Sequence, residues 1–220
     1  MNQAKYQEMD KAGKLAVIVL AAGGSSRLGQ PKQLVELAKE SLIIRQCRHA
    51  LALSEQVFCV LGCQAPLMSK QLSGLPVSEV SNENWQQGMS SSIAAGIAAL
   101  PYDIDAAMIL LVDQWQLAPA ELQRLKQTWQ SHPGNIVLAG ASCQVNAESG
   151  AEKVKKGPPV IFPKRYFPEL LALTGEQGAK PILQKYQHRL KVLELPGAFI
   201  DLDTPQQLQQ LLASRENNKS

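Results

Sequence analysis

The chain has 220 residues, 45% hydrophobic and 19% charged, which is enough apolar content for one sizeable core and too little length for two full domains. A formal charge of +3, with no dense Lys/Arg stripe interleaved with aromatics, argues against nucleic acid as a partner and leaves small anionic ligands. Residues 1–14 mix Lys, Glu and Asp and no apolar run approaches spanning length, so neither a signal peptide nor a membrane anchor is expected and the protein is expected to be cytoplasmic. The expected organisation is a polar extension over 1–14, one domain over 15–212 and a polar tail over 213–220. Cys47, Cys59, Cys63 and Cys143 form no Cys-x-x-Cys, and His49, His132 and His188 stand far from them, so no zinc site is expected.

Residues 16–34 read AVIVLAAGGSSRLGQPKQL. The uninterrupted apolar run Ala16 to Leu20 suits a strand buried on both faces of a parallel sheet, and it breaks into Ala21, Ala22, Gly23, Gly24, Ser25 and Ser26. Small residues let the backbone approach a ligand closely, and their N–H groups can converge on phosphate oxygens. Arg27 and Lys32, with Gly29 and Pro31 between them, cannot share a regular helix and are expected to wrap the loop around a polyanion, facing ligand and not carboxylates. There is no Gly-Lys-Ser/Thr, as a P-loop needs, and glycines 23, 24 and 29 do not fit Gly-x-Gly-x-x-Gly. The stretch reads as a triphosphate clamp.

Ser41 can cap a helix whose apolar positions Ile44, Cys47 and Leu51 recur at three- and four-residue spacing. Val57 to Leu61 is a second buried strand, Pro66 to Leu72 a helix stopped by Gly74 and Pro76, and Val77 to Val80 a third strand. This alternation predicts a doubly wound α/β layer that binds ligands at the carboxyl ends of its strands. In Gly88-Met89-Ser90-Ser91-Ser92 a helix opens beside those ends, with Met89, Ile93 and Ile97 on one face. Ala106 to Val112 is another continuous strand, ending in Asp113-Gln114, where a carboxylate can hold Mg²⁺ and substrate phosphates. Leu122, Leu125 and Trp129 mark a helix and Asn135 to Gly140 a strand. The polar stretch 141–157, with Lys153, Lys155 and Lys156, reads as irregular: a cover over a second substrate or a surface hairpin. Near the end, Thr204, Pro205 and Gln207 make a capping box.

The string from Leu20 to Lys32 closely resembles the signature LAAG-x-S-x-R-x-G-x-x-K of MobA-like nucleotidyltransferases, and among them looks most like the molybdenum-cofactor cytidylyltransferases. Asn82 to Ser92 is similar to that family's N-x-x-W-x-x-G-M-x-S-S, Asp113-Gln114 to its D-Q-P, residues 157–163 to G-H-P-V-L-F-P, 174–180 to T-G-D-x-G-A-R, and 201–205 to D-I-D-T-P. The resemblance implies a three-layer Rossmann-like α/β fold with a mostly parallel sheet and helices on both faces. It implies catalytic roles for Arg27, Lys32 and Asp113; nucleotide binding by residues 20–27 (Leu20, Ala21, Ala22, Gly23, Gly24, Ser25, Ser26, Arg27), Lys32, Asn82, Gly88, Ser90 and Ser91; acceptor binding by Gly157, Pro159, Gly178 and Lys180; and Mg²⁺ on Asp113 and Asp201. The implied reaction moves CMP from CTP to molybdopterin, releasing pyrophosphate, with a molybdoenzyme as possible recipient of the product. Trp115, Ala118, Pro158 and Lys180 depart from the family pattern. A guanylyltransferase, a sugar- or alditol-phosphate nucleotidyltransferase and a binding carrier without turnover are the alternatives.

Overall fold

The computed structural model describes residues 13–25, 28–144, 152–200, 202, 204 and 206–208. Strand β1 (Leu15–Leu20) is the centre, and all six of its residues are buried. Leu15, Val17 and Val19 enter one core while Ala16, Ile18 and Leu20 enter the other, the two-residue alternation of a strand covered on both faces. That burial is why the run is apolar without interruption.

Parallel to β1 lie β4 (Gln56–Leu61) on one side and β6 (Ala106–Leu111) on the other, and β5 (Ser78–Ser81) extends the β4 edge. Strand β8 (Glu152–Pro163) then runs antiparallel between β6 and β7 (Ile136–Gln144), and β9 (Leu190–Glu194) pairs parallel with β7. The order is β5-β4-β1-β6-β8-β7-β9. A separate hairpin joins β2 (Glu36–Leu37) to β3 (Glu40–Ser41). Helices α1 (Leu42–Leu51), α2 (Ala65–Leu72) and α4 (Pro119–Ser131) cover one face through Cys47, Met68 and Trp129. Helices α3 (Met89–Ala98), α5 (Phe167–Leu171) and α6 (Lys180–Lys185) cover the other through Ile93, Leu170 and Ile182. The expected three-layer α/β architecture is present.

Three local expectations are corrected. Ser41 does not cap α1; its hydroxyl meets Gln71 Oε1 at 3.3 Å instead. The strand expected over 106–112 ends at Leu111, whose N–H is taken by the Gln114 side chain at 3.1 Å. Residues 141–144 and 152–155 are not irregular, because the pairing of β7 with β8 continues from Ala141↔Lys155 to Gln144↔Glu152; this fits the hairpin alternative, and 145–151 lie outside the described residues. The Thr204–Gln207 box forms, Thr204 N–H donating to Gln207 Oε1 at 2.9 Å and Gln207 N–H to Thr204 Oγ1 at 3.3 Å.

Helix α3 approaches β1 closely at Gly96, where an added Cβ would stand 2.6 Å from Ile18 Cγ2. Gly96→Ala therefore forces helix and sheet apart despite alanine's better helix propensity. Overpacking of this kind costs about 1–3 kcal/mol, to be read as a lower urea midpoint with an unchanged slope.

Candidate active site

The loop after β1 is built by its carbonyls. Gln33, 1% exposed, donates its Nε2 to Ala21 O at 2.8 Å and Gly23 O at 2.7 Å, and the Cys63 N–H takes Ala22 O at 3.0 Å. Three successive carbonyl oxygens are thus held on the protein side. Ser25 continues the pattern: its Oγ accepts the Lys32 N–H at 3.1 Å and donates to Gln33 Oε1 at 3.3 Å. A loop with its carbonyls turned inward is suited to meet an anion, because no carbonyl dipole opposes it. Residues Ser26 and Arg27 lie outside the described residues.

Facing this loop across the carboxyl end of the sheet is Asp113, 5% exposed, one turn beyond β6. Lys32 Nζ contacts Asp113 Oδ2 directly. This corrects the expectation that Lys32 meets ligand alone: the chain folds it against a carboxylate eighty-one positions away. Both residues line a cleft of about 320 Å³, walled further by Leu20, Ala22, Gly23, Gly24, Trp85 and Met89.

Other expected nucleotide residues divide. Gly88 lines the cleft, held at φ 100° where a Cβ would stand 2.7 Å from Glu176 Cα, so the position requires glycine. Asn82 is 4% exposed and framed by the protein, donating to Ser91 Oγ and Ser92 Oγ at 3.0 Å each and accepting the Asn84 N–H at 3.0 Å. Ser91 Oγ stands 2.9 Å from both Asn84 O and Gly88 O, which share its single hydroxyl proton. Asn82 and Ser91 border a separate groove of about 590 Å³ on the far side of the α3 start, and Ser90 is fully buried. Ala21 is 1% exposed and acts through its backbone. These side chains shape the wall and do not line the cleft.

Gln33 lines the cleft unannounced by the sequence, and so does Trp85, which the sequence offered only as the tryptophan of the N-x-x-W-x-x-G-M-x-S-S stretch. The Trp85 ring lies 3.3 Å from where a Gly24 Cβ would be, and Gly62 is pressed against the Trp85 Cβ and the Ala22 methyl. Gly62 could have drawn notice as a glycine directly after an apolar strand; a buried glutamine beside a lysine carries no such signal.

Met89 also walls a second cavity of about 190 Å³, where Lys156 and Lys180 flank Ile93, Ile109, Val160 and Leu183. Of the expected acceptor residues, Gly157 and Lys180 line it. Gly178 sits behind Met89, 2.9 Å from Met89 Sδ to an added Cβ, and Pro159 is buried away from the lining, where Pro158 takes its place. A larger concavity, about 770 Å³, lies at the opposite edge beside Lys14, Ser54 and Asp103. It is remote from the loop and the strand ends where such folds bind ligands.

No group of three His, Cys, Asp or Glu able to hold a metal ion occurs among the described residues, and Asp201 lies outside them. A single buried carboxylate on a cleft still fits Mg²⁺, which is commonly held by one or two carboxylates with substrate phosphates and water. Asp113 lines the cleft, and its Oδ2 already meets one cation, the Lys32 ammonium.

The sequence pattern of the MobA-like NTP transferase domain matches residues 17–190. The chain belongs to that family. It is a nucleotidyltransferase. Over 204 residues it is 34% identical to a Synechococcus elongatus protein named probable molybdenum cofactor guanylyltransferase, covering 90% of this chain and 98% of the relative. It is 27% identical to the nicotine blue oxidoreductase of Paenarthrobacter nicotinovorans, over 89% and 95% of the two chains. In fold it is similar to Rv0371c from Mycobacterium tuberculosis (TM-score 0.74, 24% identity, 92% and 100% covered) and to a CMP:2-keto-3-deoxy-manno-octonic acid synthetase complexed with CTP (0.72, 15%, 93% and 99%). No helix among the described residues is long and apolar enough to cross a membrane.

The side chain of Asp113 is 8% exposed and that of Lys32 18%. Lys32→Ala leaves a buried carboxylate without this partner, so we expect a loss of about 1–3 kcal/mol in urea unfolding. Millimolar Mg²⁺ should restore part of it in the variant. Asp113→Asn should nearly abolish turnover even at saturating Mg²⁺; near-normal turnover in a steady-state assay would remove Asp113 from the machinery.

Proposed function

We propose that this MobA-like nucleotidyltransferase transfers CMP from CTP to molybdopterin with Mg²⁺ and release of pyrophosphate. The observation that carries the reading is the Lys32–Asp113 pair: one cleft holds a cation on its phosphate-loop side and a buried anion on its strand side. The triphosphate lies on the loop of Ala22, Gly23 and Gly24, and Lys32 and Arg27 orient it and offset the charge on the departing pyrophosphate. Asp113, joined by Asp201, supplies oxygen ligands to Mg²⁺. When bound, Mg²⁺ neutralises phosphate oxygens as a Lewis acid. The acceptor occupies the neighbouring cavity, where apolar walls suit a flat heterocycle better than a polyol, and Lys156 and Lys180 match its phosphate. That phosphate attacks the α-phosphorus in line, and no covalent enzyme intermediate is needed.

A second reading, guanylyl transfer, is favoured by the name of the 34%-identical relative. Against it stands Ala22, where resembling guanylyltransferases carry glycine. Its methyl packs toward Gly62 and Trp85, so any base selection works through the wall that Ala22 and Trp85 form together. A steric term of this size is worth roughly 10- to 200-fold. Pyrophosphate release from CTP and from GTP with molybdopterin as acceptor tests the assignment: CTP should be preferred, and Ala22→Gly should narrow the ratio chiefly by improving GTP. Equal use of both nucleotides by the unmodified protein would overturn the cytidylyl assignment.

A further inference from the structure

Strands β6 and β8 pair from Ala106↔Pro163 to Ile109↔Val160, and there the ladder stops. Beyond it, β7 pairs Leu138 with Val160 and Ala139 with Gly157, so Pro158 and Pro159 bulge out of β8. Two strands that part at the carboxyl edge leave backbone groups needing partners in a buried place. Gln114, 1% exposed, meets them. Its Oε1 accepts the Leu111 N–H at 3.1 Å, and its Nε2 donates to Pro158 O at 2.7 Å and Ala198 O at 2.9 Å. Its own carbonyl accepts Gln46 Nε2 from α1 at 2.7 Å, fixing the main chain directly after Asp113.

One primary amide thus takes the place of a peptide rung between the strand that leads to Asp113 and the strand that carries Pro158. Asp113 lines the 320 Å³ cleft and Pro158 the 190 Å³ cavity, so the separation of the two compartments passes through this side chain. We infer that Gln114 is a positioning residue that sets the distance and angle between nucleotide and acceptor, touching neither. The inference rests on reading these two compartments as donor and acceptor sites.

In-line transfer is sensitive to such placement, and a displacement of about 1 Å can cost on the order of 100-fold in rate. Two substitutions separate the bonds. Gln114→Met removes all three side-chain hydrogen bonds at similar length. Gln114→Glu keeps an acceptor for Leu111 N–H and loses the donors to Pro158 and Ala198.

With CTP, Mg²⁺ and molybdopterin, both variants should lose about 10- to 100-fold in kcat while the KM of each substrate stays within about threefold. Hydrogen exchange without acceptor should show the Leu111 amide deprotected in Gln114→Met and still protected in Gln114→Glu, with CTP affinity unchanged in both. A kcat retained in either folded variant, or a fall in kcat matched by equal losses in CTP affinity, overturns the positioning role. Unaltered Leu111 exchange in Gln114→Met overturns the rung itself. Absence of transfer to molybdopterin by the unmodified protein counts against the proposed acceptor and leaves the exchange and CTP-binding arms to decide whether Gln114 joins the strands. Should Gln114→Met not fold, Gln114→Glu carries the kinetic test.

Discussion

Burial of β1 on both faces is the constraint from which the site follows. A strand covered by helices on each side and paired on each edge can offer ligand only its end. The residues that follow it must therefore turn within the width left between β4 and β6. Small residues satisfy that turn, since Ala22 and Gly24 lie beneath Trp85 and Gly62 with no room to spare. The same packing brings the end of β6 alongside, in register from Leu15↔Ala106 to Leu20↔Leu111, so Asp113 arrives opposite the loop without any contact specific to catalysis.

Around this frame, buried side-chain amides finish what the sheet leaves open. Gln33 turns the carbonyls of the loop after β1 inward, Asn82 ties the end of β5 to the first turn of α3, and Gln114 closes the gap where β6 and β8 part. An amide offers donor and acceptor together and carries no charge, so it can be buried at a site edge without competing electrostatically for phosphate or metal. The lysine–carboxylate pair of the cleft, Lys32 with Asp113, is more enclosed than the Lys14–Asp103 and Lys185–Glu169 pairs at the surface. The cleft contact holds each charge in a place where water is scarce, a condition under which charged groups act strongly on a bound polyanion.

The family model and the fold agree on nucleotidyl transfer, while the segment from 157 to 180 differs from the family pattern at Pro158 and Lys180. The cavity there retains two lysines and an apolar lining. Pro158 also contributes its carbonyl to Gln114, a role that depends on main chain and is indifferent to the histidine found in relatives. Trp115 stands where the family pattern has proline, and the turn of Asp113 and Gln114 before it is held from behind by the Gln46 and Gln114 hydrogen bonds.

Burial periodicity and motif spacing carried the sheet's central strands, the crossover helices, the small-residue loop after β1 and the place of Asp113 at the sheet edge, because each depends on residues adjacent in the chain. The run Ala106 to Leu111 must be a buried strand, and an acid after it must stand at the sheet edge. Tertiary structure alone decided which side chains meet. Lys32 reads as a cation facing ligand alone until the fold sets it on Asp113, and the burial of Ser90 and Asn82 follows only from the packing of α3 and β5. The hairpin arms over 141–144 and 152–157 look polar and loop-like, since hydrogen bonding between strands, and not an apolar pattern, holds them. Long-range hydrogen bonds such as those of Gln33 and Gln114 leave no local pattern, for their partners are carbonyls that every residue possesses.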